Sequence, residues 1–227
     1  WGWELSVQGG DRIGEVTYNA RFHNDDGENK LIKYNGNNGL TEGVIRQLEG
    51  YPNNTIWGYK TKGMWKSRDE YLADKEANPG YESIEQDGII SGGDVRYLTQ
   101  GNADHKVGVG GATPENSGDL VKLGTETPRY LYGINLGLEW KGFDFSMFWQ
   151  GVGYRKYIVH NQTFGPMVST GRTPLTIHRD HWREDNQDAY FARLTGNMAF
   201  NYHVTDRWLQ NGAYLRLKNI QLGYTIP

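Results

Sequence analysis

Tyr130-Leu131-Tyr132-Gly133-Ile134-Asn135-Leu136-Gly137-Leu138-Glu139-Trp140-Lys141-Gly142-Phe143-Asp144-Phe145-Ser146-Met147-Phe148-Trp149-Gln150 alternates oily and polar residues on both sides of a two-residue turn. Tyr130, Tyr132, Ile134, Leu136, Leu138 and Trp140 fall on one face. After Lys141-Gly142, so do Phe143, Phe145, Met147 and Trp149. Period two over so many consecutive residues is the spacing of a β-strand and leaves no room for a helix. The pattern therefore predicts an antiparallel hairpin with one oily face.

The same period appears at both ends of the chain. Trp1, Trp3, Leu5 and Val7 alternate with Gly2, Glu4, Ser6 and Gln8, and Val16, Tyr18, Ala20 and Phe22 with Glu15, Thr17, Asn19 and Arg21. Gly9 to Arg12 reads as the turn between them. In Ala213 to Ile226, Leu215 and Leu217 are out of phase with Ile220, Leu222, Tyr224 and Ile226. That predicts a bulge or a face switch near Lys218-Asn219. Strands are expected over about 1–9, 13–23, 129–140, 143–158 and 213–226. One helix is expected, opened by a Ser67 and Glu70 capping box and running from Arg68 to Glu76.

Between the strands lie two polar excursions, about 24–128 and 160–211. Stretches this long sit poorly inside a compact domain. They suit a transmembrane β-barrel, with short turns on one side and long loops on the other. The short turns at 9–12 and 141–142 put both excursions on the far, extracellular side and an even number of spanning strands within 24–128, for which zero is expected. Segment 143–158 would reach about 53 Å at ~3.3 Å per residue, so its upper half should stand clear of the bilayer.

Composition agrees. The 227 residues include 31 Gly, 8 Trp, 15 Tyr and 7 Phe, with 24 basic against 27 acidic side chains and a net charge of −3. That balance offers nothing to nucleic acid, and so many rings do not belong to a disordered chain. With no cysteine, disulfides, thiol catalysis and zinc-thiolate sites are excluded. Mean hydropathy is −0.74, low for a thick two-sided core. Trp1, Trp3, Tyr130, Tyr132, Trp140, Phe143 and Trp149 crowd the strand ends, as in the aromatic girdles of a bilayer interface. The polar face, with Glu4, Gln8, Arg21, Asn135, Glu139 and Asp144, suits a wet interior. A β-sandwich with a polar outer face has the same alternation and stays open.

Candidate chemistry is sparse. His178-Arg179-Asp180-His181 looks ligand-like but lies outside any helical register and reads as solvated surface. Asp25-Asp26 has the residue type of glycosidase acids, yet Asn-Asp-Asp-Gly reads as a turn. Ser67, Ser83 and Ser91 lack a nucleophile elbow. Asn53-Asn54-Thr55 and Asn161-Gln162-Thr163 match a glycosylation sequon without further context, and Gly108-Val109-Gly110-Gly111 follows no phosphate-binding strand. The excursion aromatics Trp57, Trp65, Trp182 and Tyr190 have flat faces that serve sugar stacking, partner docking or loop self-packing alike.

Gly124 to Gly153, with Thr-Pro-Arg-Tyr-Leu-Tyr-Gly-Ile-Asn and Trp-Lys-Gly-Phe-Asp-Phe-Ser-Met-Phe-Trp-Gln-Gly, resembles the signature hairpin of the SusC/RagA-type TonB-linked outer-membrane transporters. Thr205 to Pro227, ending Leu-Gly-Tyr-Thr-Ile-Pro, is similar to a second stretch of that family, and Gly50-Tyr51-Pro52 and Trp57 to Trp65 add weaker likeness. The resemblance implies part of a barrel of about 22 strands that imports oligosaccharide, or else peptide, through the bacterial outer membrane. It also implies contact with lipid or lipopolysaccharide, a SusD-like surface lipoprotein over the mouth, a TonB complex acting through a region absent from this chain, no catalysis and no cofactor. In the family, a segment like Gly93 to Tyr97 runs into an Asp-rich loop in the style of a calcium site. Here Leu98 to Asp104 lacks closely spaced carboxylates, and no metal is carried over. Five strands cannot close such a barrel, so the chain is expected to be a piece of a longer polypeptide or half of a split barrel. The competing expectation is a secreted or surface β-sandwich that binds or cleaves glycans on an aromatic platform. An adhesin module would need internal repeats, and none is found.

Overall fold

The computed structural model describes all residues except 37–38, 85–88, 101–106, 109–111, 160–164, 168–172, 197–198 and 227. The strands are β1 (Gly2–Ile13), β2 (Val16–Gly27), β3 (Gly43–Ile45), β4 (Thr55–Gly58), β5 (Thr61–Met64), β6 (Val95–Tyr97), β7 (Val121–Thr125), β8 (Arg129–Trp140), β9 (Phe143–Tyr154), β10 (Lys156–Ile158), β11 (Leu209–Asn211) and β12 (Tyr214–Tyr224), with helix α1 at Arg68–Ala77. Five of them form one antiparallel sheet in the order β1-β2-β8-β9-β12. β2 pairs directly with β8, so nothing from the first excursion enters that sheet.

The register carries the oily face across the whole sheet. Ile13, Val16, Trp140, Phe143 and Tyr224 lie in one cross-strand row, and Tyr18, Leu138, Phe145 and Leu222 lie in the next. Above them come Ala20, Leu136, Met147 and Ile220, then Val7, Phe22, Ile134, Trp149 and Leu217. The intervening rows are polar: Thr17, Glu139 and Asp144, then Asn19, Gly137, Ser146 and Gln221. The oily rows stay open, with Val7 56 %, Leu138 45 % and Leu222 75 % exposed. A sandwich would cover this face with a second sheet; no such layer covers it among the described residues.

On the polar face, space above the glycines is taken by neighbouring side chains. The His23 ring lies where a Cβ on Gly133 would sit, and the Asn19 amide does the same at Gly137. Glycine thus lets polar groups lie flat across the strands.

The ends of the strands differ from the sequence expectation in two places. The first turn is at Gly14-Glu15, not 9–12, because Gly14 supplies the positive φ (+61°) a tight turn requires, while Gly9 and Gly10 pair within the ladder opposite Ala20 and Asn19. β1 and β2 are correspondingly longer than 1–9 and 13–23. Asp25-Asp26 is not a turn either. Asp26 lies in β2 and accepts from Arg129 Nε at 2.5 Å and Nη2 at 2.6 Å, and from the Tyr130 amide at 3.2 Å. The expected bulge is present, with the register shifting between Leu217 and Asn219. It inserts Lys218 and returns Ile220 to the face of Leu217. The ribbon 143–158 pauses at Arg155, opposite Gly212-Ala213, where its partner changes from β12 to β11.

The two excursions are more than loops. Together they make a cap with its own core, in which Leu40, Leu48, Trp65, Tyr71, Tyr97 and Trp208 are buried beside Phe191, Phe200 and Tyr202. This core is built of rings. It reconciles a low aliphatic content with a packed interior, since each ring buries ~150–250 Å². Burial pushes the hydroxyls of Tyr59 and Tyr81 up to about 12, so they stay neutral. The expected helix is there. Ser67 accepts the Glu70 amide at 3.0 Å, Glu70 accepts the Lys66 amide at 2.6 Å, and the helix runs one residue beyond Glu76.

The cap joins the sheet beyond the oily rows, at Asp26 and Arg129. Arg129's hydrogen bonds hold the Asp26 carboxyl below the usual carboxylate range, against a smaller opposing effect of burial. A depressed folded value means that this contact stabilises fully above the unfolded pKa of ~3.9 and is lost as pH falls through the folded one. Acid titration of protease sensitivity at the junction should therefore show a loosening step below about pH 4 that Asp26→Asn removes. A step unchanged in Asp26→Asn would assign it to other carboxylates.

Candidate functional site

The two excursions are knitted to each other by polar contacts across long sequence separations. Buried Asp94 accepts from Arg193 Nε at 2.8 Å and Nη2 at 2.9 Å, and from Asn201 Nδ2 at 2.9 Å. Asn201 Oδ1 in turn accepts the Val95 amide at 2.7 Å. Tyr59 and Val204 share a backbone bond of 2.8 Å, Thr61 binds Asp206 through both its amide and its hydroxyl, and Glu42 meets His203 Nδ1 at 2.7 Å and the Val204 amide at 2.9 Å. A Cβ on Gly58 would lie 2.3 Å from the Val204 carbonyl, so glycine there permits the close approach.

A cavity of about 500 Å³ remains where these pieces meet. Its walls include Glu42 and Val44 beside β3, Glu126 after β7, Ile158 and Val159 at the end of β10, and His203. Trp208 and Tyr202 form its floor, but their rings stack on each other at 5.1 Å between centroids. The site combines carboxylates, one imidazole and aliphatic walls, with no free aromatic platform. A second concavity, of about 400 Å³, lies on the polar face of the sheet among Asn19, Asn135, Glu139, Asp144, Ser146 and Asn219.

Trp57 and Trp65, offered by the sequence as contact residues, are in the core, 5 % and 0 % exposed. Trp65 packs edge-on to Tyr71 with Arg96 over its ring, and Tyr51 meets Trp57 edge-on. Neither presents a face to a ligand, because the excursions fold onto their own rings instead of leaving them in solvent. Trp182 is half-buried against Gly92 and Gly93. Tyr190 keeps an exposed edge, its hydroxyl accepting from Gln210 at 2.9 Å. The structure does not bring these four together as one platform. The ligand-like histidines serve local structure: His178 Nδ1 accepts the Leu175 amide, and His181 Nδ1 meets the His178 carbonyl. Among the described residues no three His, Asp or Glu side chains gather as a metal site. The sequon 161–163, Val109 to Gly111 and the stretch 101–104 lie outside the described residues. Sequence reasoning missed Glu42, Glu126 and His203, which share no motif.

Of the interface rings, Trp1, Trp3 and Tyr130 are exposed at one end of the oily face, with Tyr132 half-buried over Gly151, and Trp140 and Phe143 are exposed at the other. Trp149 lies apart from these ends, half-buried in the middle of β9 beside Ile134 and Leu217. Tyr130 to Trp140 is ten residues, about 33 Å along a strand and ~23–27 Å vertically at the usual tilt of ~35–45°. That matches the ~25 Å apolar band of an outer-membrane barrel. No helix among the described residues is long and apolar enough to cross a membrane.

No family model matches the chain. It is 24 % identical over 243 aligned positions to TonB-dependent receptor P26 of Formosa agariphila, and 23 % over 235 to TonB-dependent receptor P3 of the same organism, in each case along its whole length. The chain is thus similar to TonB-dependent receptors from end to end. It spans about a fifth of the length of these curated relatives, 22 % and 21 %. Two solved structures of a RagAB complex share its fold, one described as a peptide transporter (TM-score 0.65, 18 % identity, 23 % of that chain) and one as a peptide importer in an open-open state (0.62, 19 %, 22 %). Both cover all of this chain. The TonB-dependent receptors that the chain resembles are proteins of the bacterial outer membrane.

Proposed function

We propose that the protein containing this chain imports an oligomeric nutrient across the outer membrane, driven through TonB from the inner membrane and working with a SusD-like surface lipoprotein. The chain contributes one arc of the barrel wall and a folded extracellular cap; the oily rows meet lipid and the polar rows face a lumen. The observation that carries this reading is the continuous oily face, bounded by aromatic tiers one bilayer apart. Long edges on β1 and β12 suit continuation into further strands of a barrel of about 22. The glycan-binding sandwich is disfavoured by the same open face. Of the two substrate classes suggested by sequence, peptide is favoured over oligosaccharide because Trp57 and Trp65 are packed inside and Trp182 and Tyr190 do not join them in a platform. The described function of the RagAB structures adds to this.

The test is growth of the native bacterium, with and without the gene, on defined peptides or oligosaccharides as sole nutrient source. Loss of growth on peptides, restored by the intact gene, is expected. Unimpaired growth on every source, with uptake rates unchanged, would overturn the importer reading.

A further inference from the structure

The cavity between the excursions has a charge pattern of its own. Two carboxylates, Glu42 and Glu126, and one imidazole line it, and no lysine or arginine does among the described residues. Glu42 is fixed by His203 and the Val204 amide. Glu126 is held by its backbone, donating its amide to the Asn54 carbonyl at 3.0 Å and accepting Arg155 Nε on its carbonyl at 3.0 Å. Its carboxylate has no ion-pair partner among the described residues. Arg155 engages the Glu126 carbonyl, not its carboxylate, in the hydrogen bond it makes there. The remaining walls, Val44, Ile158 and Val159, are aliphatic and suit a methylene stem. A sugar would find no free ring face here, since Tyr202 and Trp208 stack on each other and both are buried.

We propose that this cavity receives a cationic side chain, lysine or arginine, of a bound peptide, with its charge between Glu126 and the Glu42–His203 pair and its stem along Val44, Ile158 and Val159. The assignment rests on the peptide-importer reading and adds a preference within it. Carboxylate pairing with a partly desolvated ammonium or guanidinium is worth ~1.5–3 kcal/mol, or about 10–150-fold in affinity.

The test uses the full-length transporter with its partner lipoprotein in detergent and a pair of labelled peptides differing only in lysine against norleucine. The wild type is expected to hold the lysine peptide about tenfold tighter or more. Glu126→Gln should bring the two within about twofold by weakening the lysine peptide alone, and Glu126→Lys should reverse the preference when glutamate replaces lysine. An unchanged thermal shift of each variant separates this from misassembly. Equal binding of both peptides by the wild type, or a preference that survives Glu126→Gln, would overturn the proposal while leaving the importer reading intact. Binding of neither peptide, with an oligosaccharide bound instead, would overturn both.

Discussion

Replacing Leu136 by arginine is expected to remove most of the assembled protein from the outer membrane. Leu136 sits between Ala20 and Met147 in the middle of the oily rows, away from both aromatic tiers. An arginine on the lipid face near the bilayer midplane costs ~2–4 kcal/mol, a large part of a barrel's margin. Ser146→Arg is the matched control. Ser146 lies opposite Gly137 in a polar row, and a wet surface should accept the charge within ~0.5 kcal/mol. Surface abundance and heat-modifiable mobility of the full-length protein report both. Greater damage from Ser146→Arg would mean that the faces are assigned the wrong way round.

Asp94→Ala is expected to open the cap while leaving the barrel wall intact. The carboxylate is fully buried and takes Arg193, Asn201 and the Ser91 amide together. Removing one member of a buried ion pair costs ~3–5 kcal/mol, because the partner charge stays behind. Arg193's side chain is 27 % exposed and recovers some hydration. The lower end, about 3 kcal/mol, is the expected value. The readout is protease cleavage within 24–128 or 160–211 at temperatures where the wild type resists, with heat-modifiability unchanged. Adding Arg193→Leu should recover part of the loss, as a double-mutant cycle would show. Full protease resistance in Asp94→Ala would remove Asp94 as the link between the excursions.

The sheet was legible in sequence because its code is local. Oily residues hold one face at every second position through 130–149 apart from the turn, and the phase change after Leu217 pointed to a bulge or a face switch, of which the structure has the bulge. Where the code is ambiguous, it misled. Gly9-Gly10-Asp11 has the composition of a turn, but these residues pair as strand, and the tighter Gly14 takes the turn. The cap was not legible. Its strands β3 to β6 are three or four residues long, too short to show a period, and its core is assembled from rings scattered across both excursions. From sequence, contact rings and self-packed rings therefore could not be told apart. The same holds for the site: Glu42 and His203 meet at 2.7 Å across 161 positions of sequence, and no spacing rule connects them.

The stitching of residues 42, 59, 61 and 94 to residues 193–206 also sets an order of events for biogenesis. Neither half of the cap can finish alone, since the contacts that bury Asp94 are supplied about a hundred residues later. Closure over such separations is slow. On the proposed topology, with both halves outside the membrane, either one stays open at the cell surface until the other joins it. Throughout that interval it would be exposed to proteases and dependent on whatever escorts nascent barrels outward.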